Sequence, residues 1–314
     1  FFLQWWALSK LGLRLSWLFS YKTEGLMRII KMMGPMTFGL AIAQMIVLVD
    51  KMVASFLYAG NISHLYYSNR LFQFPFALIA IAVGTVVLPA SSEHVAKKEN
   101  RKVALTARHS LKMMSFLMLP SMVGLWLIGH PLIGLLFRSG QFDSMDQNIT
   151  FAVLVFALPG LFAYGCIRIF ISLCYSFEDT IGPVLAGVLA LFINVVLDVL
   201  FVWYWPVRTY AVSGLTLAGS FAVWGQVYIL RRRLLGHLPE MWLIPWKSVF
   251  KYFFISLLMG LIVLPFVLSE LSELTVVLVG SFGGVFVYFA IAHLLGEVYP
   301  RRIVLQVKDT LLSK

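Results

Sequence analysis

Charge is scarce in this 314-residue sequence: Asp, Glu, Lys and Arg make up 12% of it, about half the share of a soluble domain. Apolar types fill 60% of the chain and mean hydropathy is +0.88, which excludes a water-soluble enzyme of this length. The only two cysteines, Cys166 and Cys174, share one apolar stretch, so neither a disulfide framework nor a zinc site is available. The six histidines are scattered without metal-ligand spacing. No Walker-type glycine loop occurs, so the chain is not expected to hydrolyse ATP. No charged segment leads into an apolar one at the start, as a signal peptide requires. The first residue is Phe1, and the sequence is expected to begin partway through a longer protein.

What is present is long apolar runs. A helix needs about 20 residues to cross a bilayer, and eight stretches qualify, near 35–58, 66–89, 111–129, 150–173, 183–204, 211–230, 248–268 and 274–295. A ninth, Phe1 to Leu8, reads as the tail of one more helix. The runs are continuous rather than alternating, and an open sheet could not satisfy its edges in lipid. The fold class is therefore all-α, a polytopic membrane protein. Of the 25 Lys and Arg residues, 20 fall in one set of alternate loops and termini, whereas Arg138 and Arg208 alone occupy the other set. The positive-inside rule makes the first set cytoplasmic, together with the C-terminus. The net charge of +11 then reports loops facing anionic membrane lipids rather than nucleic acid. Glu24 to Met33 and Ser91 to Arg108 carry apolar and basic residues at helical spacing and are expected to lie along the cytoplasmic face.

Polar side chains inside these runs are costly, at about 2.5–3.5 kcal/mol for an ionised group near mid-bilayer. Asp50, Asn194, Thr216 and Arg70 come from four different helices, with Asp198 one turn beyond Asn194 on the same face. At about 1.5 Å of rise per residue, all fall in the outer half of the membrane, within roughly 11 Å of the midplane. Asp50, Asn194, Asp198 and Thr216 offer hard oxygen ligands, and a carbonyl of Val212 lies one turn before Thr216. Two carboxylates at one depth share a proton or are bridged by a cation. These five residues are thus a candidate site for a monovalent cation or a proton, and the spacing does not separate sodium from proton coupling. The alternative pairs Asp50 with Lys51 or Arg70 and gives Asn194 an interhelical hydrogen bond. Arg70 has the fork geometry that grips phosphate oxygens, or it snorkels to the outer headgroups. Arg168 lies toward the cytoplasmic end of its helix, where snorkelling accounts for it.

Three stretches carry a family pattern: GPMTFGLAIAQMIVLVDKMVASFLYAG (Gly34 to Gly60), SHLYYSNRLFQFPFALIAIAVGTVVLPASS (Ser63 to Ser92) and IFISLCYSFEDTIGP (Ile169 to Pro183). FRSGQF (Phe137 to Phe142) fits as well. The chain resembles the MurJ (MviN) lipid II flippases of the multidrug/oligosaccharidyl-lipid/polysaccharide exporter superfamily. The resemblance implies two six-helix lobes facing each other across a central cavity, followed by two further helices. Residues 1–33 would then be the end of a truncated helix with an amphipathic linker, 34–233 the second lobe, and 234–314 the last two helices and a cytoplasmic tail. It further implies that Arg70 contacts the diphosphate of lipid II, and that the last helix pair forms a groove for the polyprenyl tail. Asp50, Asn194, Asp198, Val212 and Thr216 would form the cation site of sodium-coupled relatives. Cys174 stands where the family usually has an aromatic, which reads as a packing change.

The implied function is export of the peptidoglycan precursor lipid II across the bacterial cytoplasmic membrane, with no enzymatic step and no bound cofactor beyond a coupling sodium ion or proton. The missing N-terminal lobe is the implied partner, and without it the chain is expected not to transport. The rival readings are an exporter of other polyprenyl-linked sugars or of drugs, an intramembrane enzyme acting on polyprenyl phosphates, and a non-transporting scaffold. A drug exporter needs no phosphate-binding Arg70, and the loop carboxylates converge with no histidine into an enzyme motif.

Overall fold

The computed structural model describes residues 2–10, 12, 24–238, 244–269 and 271–297, and among these every regular element is helical. The α-helices are α1 (Phe2–Lys10), α2 (Glu24–Ser55), α3 (Asn61–Pro75), α4 (Ala82–Ala96), α5 (Asn100–Phe137), α6 (Ser144–Ser176), α7 (Ile181–Tyr204), α8 (Val212–His237), α9 (Trp246–Val267) and α10 (Glu273–Leu294). A π-helical turn, Phe76–Ile81, joins α3 to α4, so that Asn61–Ala96 runs as one span. That turn follows Pro75, whose ring nitrogen cannot donate and so favours a widened turn. Eight segments are long and apolar enough to cross a membrane, one for each apolar run in the sequence. The protein is an all-α, multi-pass membrane protein.

Neither of the two stretches expected to lie along the membrane surface forms a helix of its own. Residues 24–33 are the opening turns of α2 and run unbroken into the span, through Pro35. Ser91 to Arg108 divides between the end of α4 and the start of α5. These meet at a tight corner where Lys98 adopts φ 57° and Glu99 binds Lys102 at 2.8 Å. Mixed apolar and basic spacing marks a helix near an interface but does not distinguish a surface helix from the overhang of a spanning one. Helix α8 likewise continues to His237, beyond the boundary expected at 233. The expected linker at 13–23 and tail at 298–314 lie outside the described residues.

Helix α6 is the axis of the packing, buried along most of its length and in contact with α3, α4, α5 and α8. Lipid tails are as apolar as leucine, so helices in a bilayer associate through close packing and hydrogen bonds. Around Pro159, α8 supplies both. The Ser220 hydroxyl donates to the Phe156 carbonyl at 3.0 Å and the Trp224 indole to the Pro159 carbonyl at 3.0 Å. A Cβ added to Gly160 would meet Ser220 Oγ at 3.0 Å. Helix α7 packs on α8, and α2 packs chiefly on α7. The corner between α2 and α3 is turned by Gly60 at φ 92°, a conformation that side-chain-bearing residues avoid.

The last pair, α9 and α10, docks on α5. The Phe116 ring lies 5.3 Å from that of Tyr252 and 5.1 Å from that of Tyr288, and the Tyr288 hydroxyl donates to the Phe116 carbonyl at 2.7 Å. Beyond the end of α10, the buried Glu297 accepts hydrogen bonds from Lys251 at 2.7 Å and Tyr252 at 2.9 Å, with Lys112 of α5 at 3.9 Å. Burial would raise this carboxyl, but the bonds from Lys251 and Tyr252 and the nearby Lys112 outweigh it and hold Glu297 below its ordinary value of 4.5. A depressed carboxylate stabilises the fold above the unfolded value and loses that contribution as pH falls through the folded one. Glu297→Gln should therefore cost about 2 kcal/mol at pH 7 and progressively less as pH drops below 4.5. Thermal unfolding of both proteins across that range checks this, and a pH-independent difference would contradict it.

Candidate functional site

The site begins with the register of two parallel helices. Val184 lies 3.5 Å from the position a Cβ on Gly39 would take, and Ile42 lies 3.4 Å from that of Gly187. Both contacts carry the same offset along the chain, and extending it outward brings Asp50 of α2 level with Asn194 and Asp198 of α7. Small residues in the inner halves of the helices thus set the closeness of polar ones further out. Helix α8 closes the other side of α7, with Gly219 facing the Asn194 amide at 4.0 Å.

Asn194 and Asp198 are fully buried, and the Asn194 amide donates to Asp198 Oδ1 at 3.4 Å. The Asp50 carboxyl is engaged by both of them. Tyr164 of α6 comes within electrostatic reach of Asp50, its ring packed against Phe72 and Phe76. Among the buried atoms without a hydrogen-bond partner are Asp50 Oδ1, Asn194 Oδ1 and Asp198 Oδ2 of this group, and Ser213 Oγ of α8. Among the described residues, no lysine or arginine forms an ion pair with either carboxylate. Buried polar groups are normally satisfied, and a carboxylate pair with spare acceptors has the donor chemistry that suits a cation or a shared proton.

Of the five residues predicted for this site, the structure brings three together, Asp50, Asn194 and Asp198. The Thr216 hydroxyl, on α8, is 3.0 Å from the carbonyls of both Val153 and Ser213 and donates to one of these. The Val212 side chain lies in an apolar layer with Ala54, Ile149, Val153 and Leu215, one turn from Thr216. The pairing of Asp50 with Lys51 or Arg70 is not found: Lys51 is exposed, and the exposed Arg70 guanidinium bonds the Tyr66 hydroxyl and lies 4.7 Å from the centre of its ring. Asn194 does reach across to α2, where it engages the Asp50 carboxyl, and it also bonds Asp198 on its own helix. Sequence reasoning missed Ser213 and Tyr164. A serine flanked by Val212 and Gly214, three residues before Thr216, could have flagged the first. Nothing in the spacing of α6 marks Tyr164, because only the packing of α6 against α3 and the π-helical turn brings it within reach of Asp50.

A family model described as "Lipid II flippase MurJ" matches residues 1–284 of the chain. A "Probable lipid II flippase MurJ" of Vibrio cholerae serotype O1 is 34% identical over 230 residues, covering 73% of this chain and 42% of the relative. The protein of the same description from Haemophilus influenzae is 31% identical over 221 residues, covering 68% of this chain and 42% of the relative. The solved structure "Lipid II flippase MurJ, inward closed conformation" superposes with a TM-score of 0.70 at 26% identity, over 93% of this chain and 60% of that one. A MOP superfamily transporter from Pyrococcus furiosus shares the fold, with a TM-score of 0.57 at 18% identity, over 76% of this chain and 54% of its own. The chain spans less than half the length of these two curated relatives.

Two carboxylates that face each other without a counter-charge repel. The nearly isosteric Asp198→Asn should therefore melt at or above the wild-type midpoint in sodium-free choline buffer at neutral pH. A loss of about 3 kcal/mol, the cost of breaking a buried ion pair, would show that Asp198 has a structural counter-charge.

Proposed function

This chain belongs to the lipid II flippase MurJ family, and from that premise we propose that it is the second six-helix lobe and final helix pair of a transporter that moves lipid II to the outer leaflet of the bacterial cytoplasmic membrane. The activity is transport in support of peptidoglycan synthesis rather than an enzymatic step. Helices α2 to α8 form one wall of a central cavity. An N-terminal lobe forms the other, and alternating access comes from one lobe rocking against the other. The excess of Lys and Arg in one set of loops places that set, and the C-terminus, in the cytoplasm.

The observation that carries the coupling mechanism is the buried pair of Asp50 and Asp198 with oxygens left unpartnered. Their donor set fits a monovalent cation or a proton: Asp50, Asn194 and Asp198 supply oxygen ligands, Ser213 adds a spare hydroxyl, and Val212 and Thr216 complete the α8 side. A bound cation supplies the positive charge that lets α2 and α7 approach, and its loss lets them separate. Asp50 and Asp198 are also able to pass a single proton between them. This ties the spacing of two helices to an ion gradient, the kind of differential interaction a conformational equilibrium needs. Arg70, on the exposed face of α3, holds the diphosphate with its guanidinium fork, and α9 with α10 guides the polyprenyl tail. A drug exporter would share the fold but would have no use for Arg70.

Two outcomes are expected. Co-expression with the N-terminal lobe of a MurJ relative should give lipid II export in vesicles or support growth of cells depleted of their own flippase, whereas the chain alone should not; no gain over the chain alone would defeat the two-lobe reading. In native mass spectrometry the completed protein should retain lipid II over other polyprenyl lipids, and Arg70→Ala should lose at least about tenfold in retention. Equal retention would make Arg70 a headgroup anchor.

A further inference from the structure

We propose that α3 is a hinged arm: Asn61–Pro75 swings as a unit about the π-helical turn at Phe76–Ile81, parting from α6 at the Gly60 end and carrying Arg70 with it. The motion stands whether or not Arg70 holds a lipid diphosphate; the reading above gives it a use.

The face that α3 buries is polar where it is furthest from that turn. Its buried residues are Asn61, His64, Ser68, Leu71 and Pro75, so the first three from the Gly60 end are polar. Helix α6 meets them with the fully buried Thr150, whose hydroxyl bonds His64 Nδ1 at 3.0 Å. Asp146 Oδ1 lies 3.5 Å from His64 Nε2. Opening an apolar seam to water costs free energy in proportion to its area, whereas a polar seam exchanges its hydrogen bonds for bonds to water. The closed seam is also incomplete. The Asn61 amide nitrogen is buried without a hydrogen-bond partner, a penalty that parting would relieve. The corner between α2 and α3 joins two spans, and so lies at a membrane face with water at hand.

Both ends of the arm are built to bend. Prolines and π-bulges are where helices kink, and here they adjoin, at Pro75 and Phe76–Ile81. At the other end, residues 56–60 link α3 to α2 outside either helix and finish at Gly60, with φ 92°. Beyond the hinge, α4 buries Val83, Gly84, Val87 and Ser91, a mainly apolar face that keeps the other half of the span docked. The clasp is Tyr67, whose ring lies 4.6 Å from Phe137 and 5.5 Å from Phe142 at the corner between α5 and α6. Arg70 bonds Tyr66 one turn back on the same helix, so the two travel together. The arm is about 22 Å long. A tilt of about 15° would move its Gly60 end by about 6 Å, and Arg70, nearer the hinge, by about 2 Å.

The test is electron–electron distance measurement on the full chain in nanodiscs, with the buried Cys166 and Cys174 replaced by alanine. Spin labels go at Ile62 of α3 and Met145 of α6, both 44% exposed. A control pair at the exposed Val86 and Glu178 spans the docked half. The Ile62–Met145 pair should show a second population about 6 Å from the first. Tyr67→Ala should enlarge that population severalfold, and the apolar seal His64→Leu with Thr150→Val should remove it. The control pair should keep one distance throughout, and thermal unfolding of each variant confirms that it is folded. A single distance in both the otherwise unaltered chain and Tyr67→Ala overturns the proposal. So does a second population that the apolar seal leaves in place, or a control pair that spreads equally, which would mean loosening of the whole bundle. None of these results bears on lipid II retention by Arg70, which the mass-spectrometric comparison reads separately.

Discussion

A carboxylate removed from water needs a counter-charge or a proton, and the architecture of this lobe turns on two that have no cationic partner among the described residues. Asp50 and Asp198 are brought level by the parallel register of α2 and α7, which Gly39 and Gly187 set by their close contacts with Val184 and Ile42. Asn194 lies fully buried between α7 and α8 and satisfies one oxygen of Asp198 while leaving its own unpartnered. Helices α6 and α8 wall the group in, with Thr216 tied back to the Val153 and Ser213 carbonyls. In a bilayer such a group is tolerated only if a mobile positive charge completes it. We read that completion as the link between an ion gradient and the position of α2.

Elsewhere many buried polar groups are satisfied by named partners. Serine hydroxyls and the Trp224 indole fill carbonyl acceptors along α6. At the junction with α9 and α10, Glu297 collects Lys251, Tyr252 and Lys112. Asp179, in the corner between α6 and α7, feels an upward push from burial, but the Arg233 guanidinium at 2.8 Å and the Gly182 amide hold it below its ordinary value. Asp179 and Glu297 are thus paired with cations of other helices, whereas Asp50 and Asp198 at depth have no cationic partner among the described residues, and they are the pair to which the proposed transport gives a role.

The spans were plain in the sequence, because twenty apolar residues in a row have few other structural outcomes. The grouping of Asp50, Asn194 and Asp198 was legible too, from depth alone, because rise per residue is constant and polar groups in lipid are rare. What was hidden depended on rotation and register. No periodicity showed that Tyr164 faces Asp50, that the Ser213 hydroxyl is left over, or that Thr216 is occupied with α6. Helical spacing also did not show that 24–33 is continuous with α2 or that a corner at Lys98 divides 91–108, since the overhang of a long spanning helix has the same mixed composition as a separate amphipathic helix.

The most direct test of the central claim is infrared difference spectroscopy of the purified protein, comparing wild type with Asp50→Asn and Asp198→Asn as sodium is exchanged for choline and as pH is stepped across neutrality. The account predicts a carboxyl band that appears or shifts with one of those two exchanges in wild type and is absent from both variants. A spectrum indifferent to both sodium and pH, or a responsive band that survives both substitutions, would contradict it.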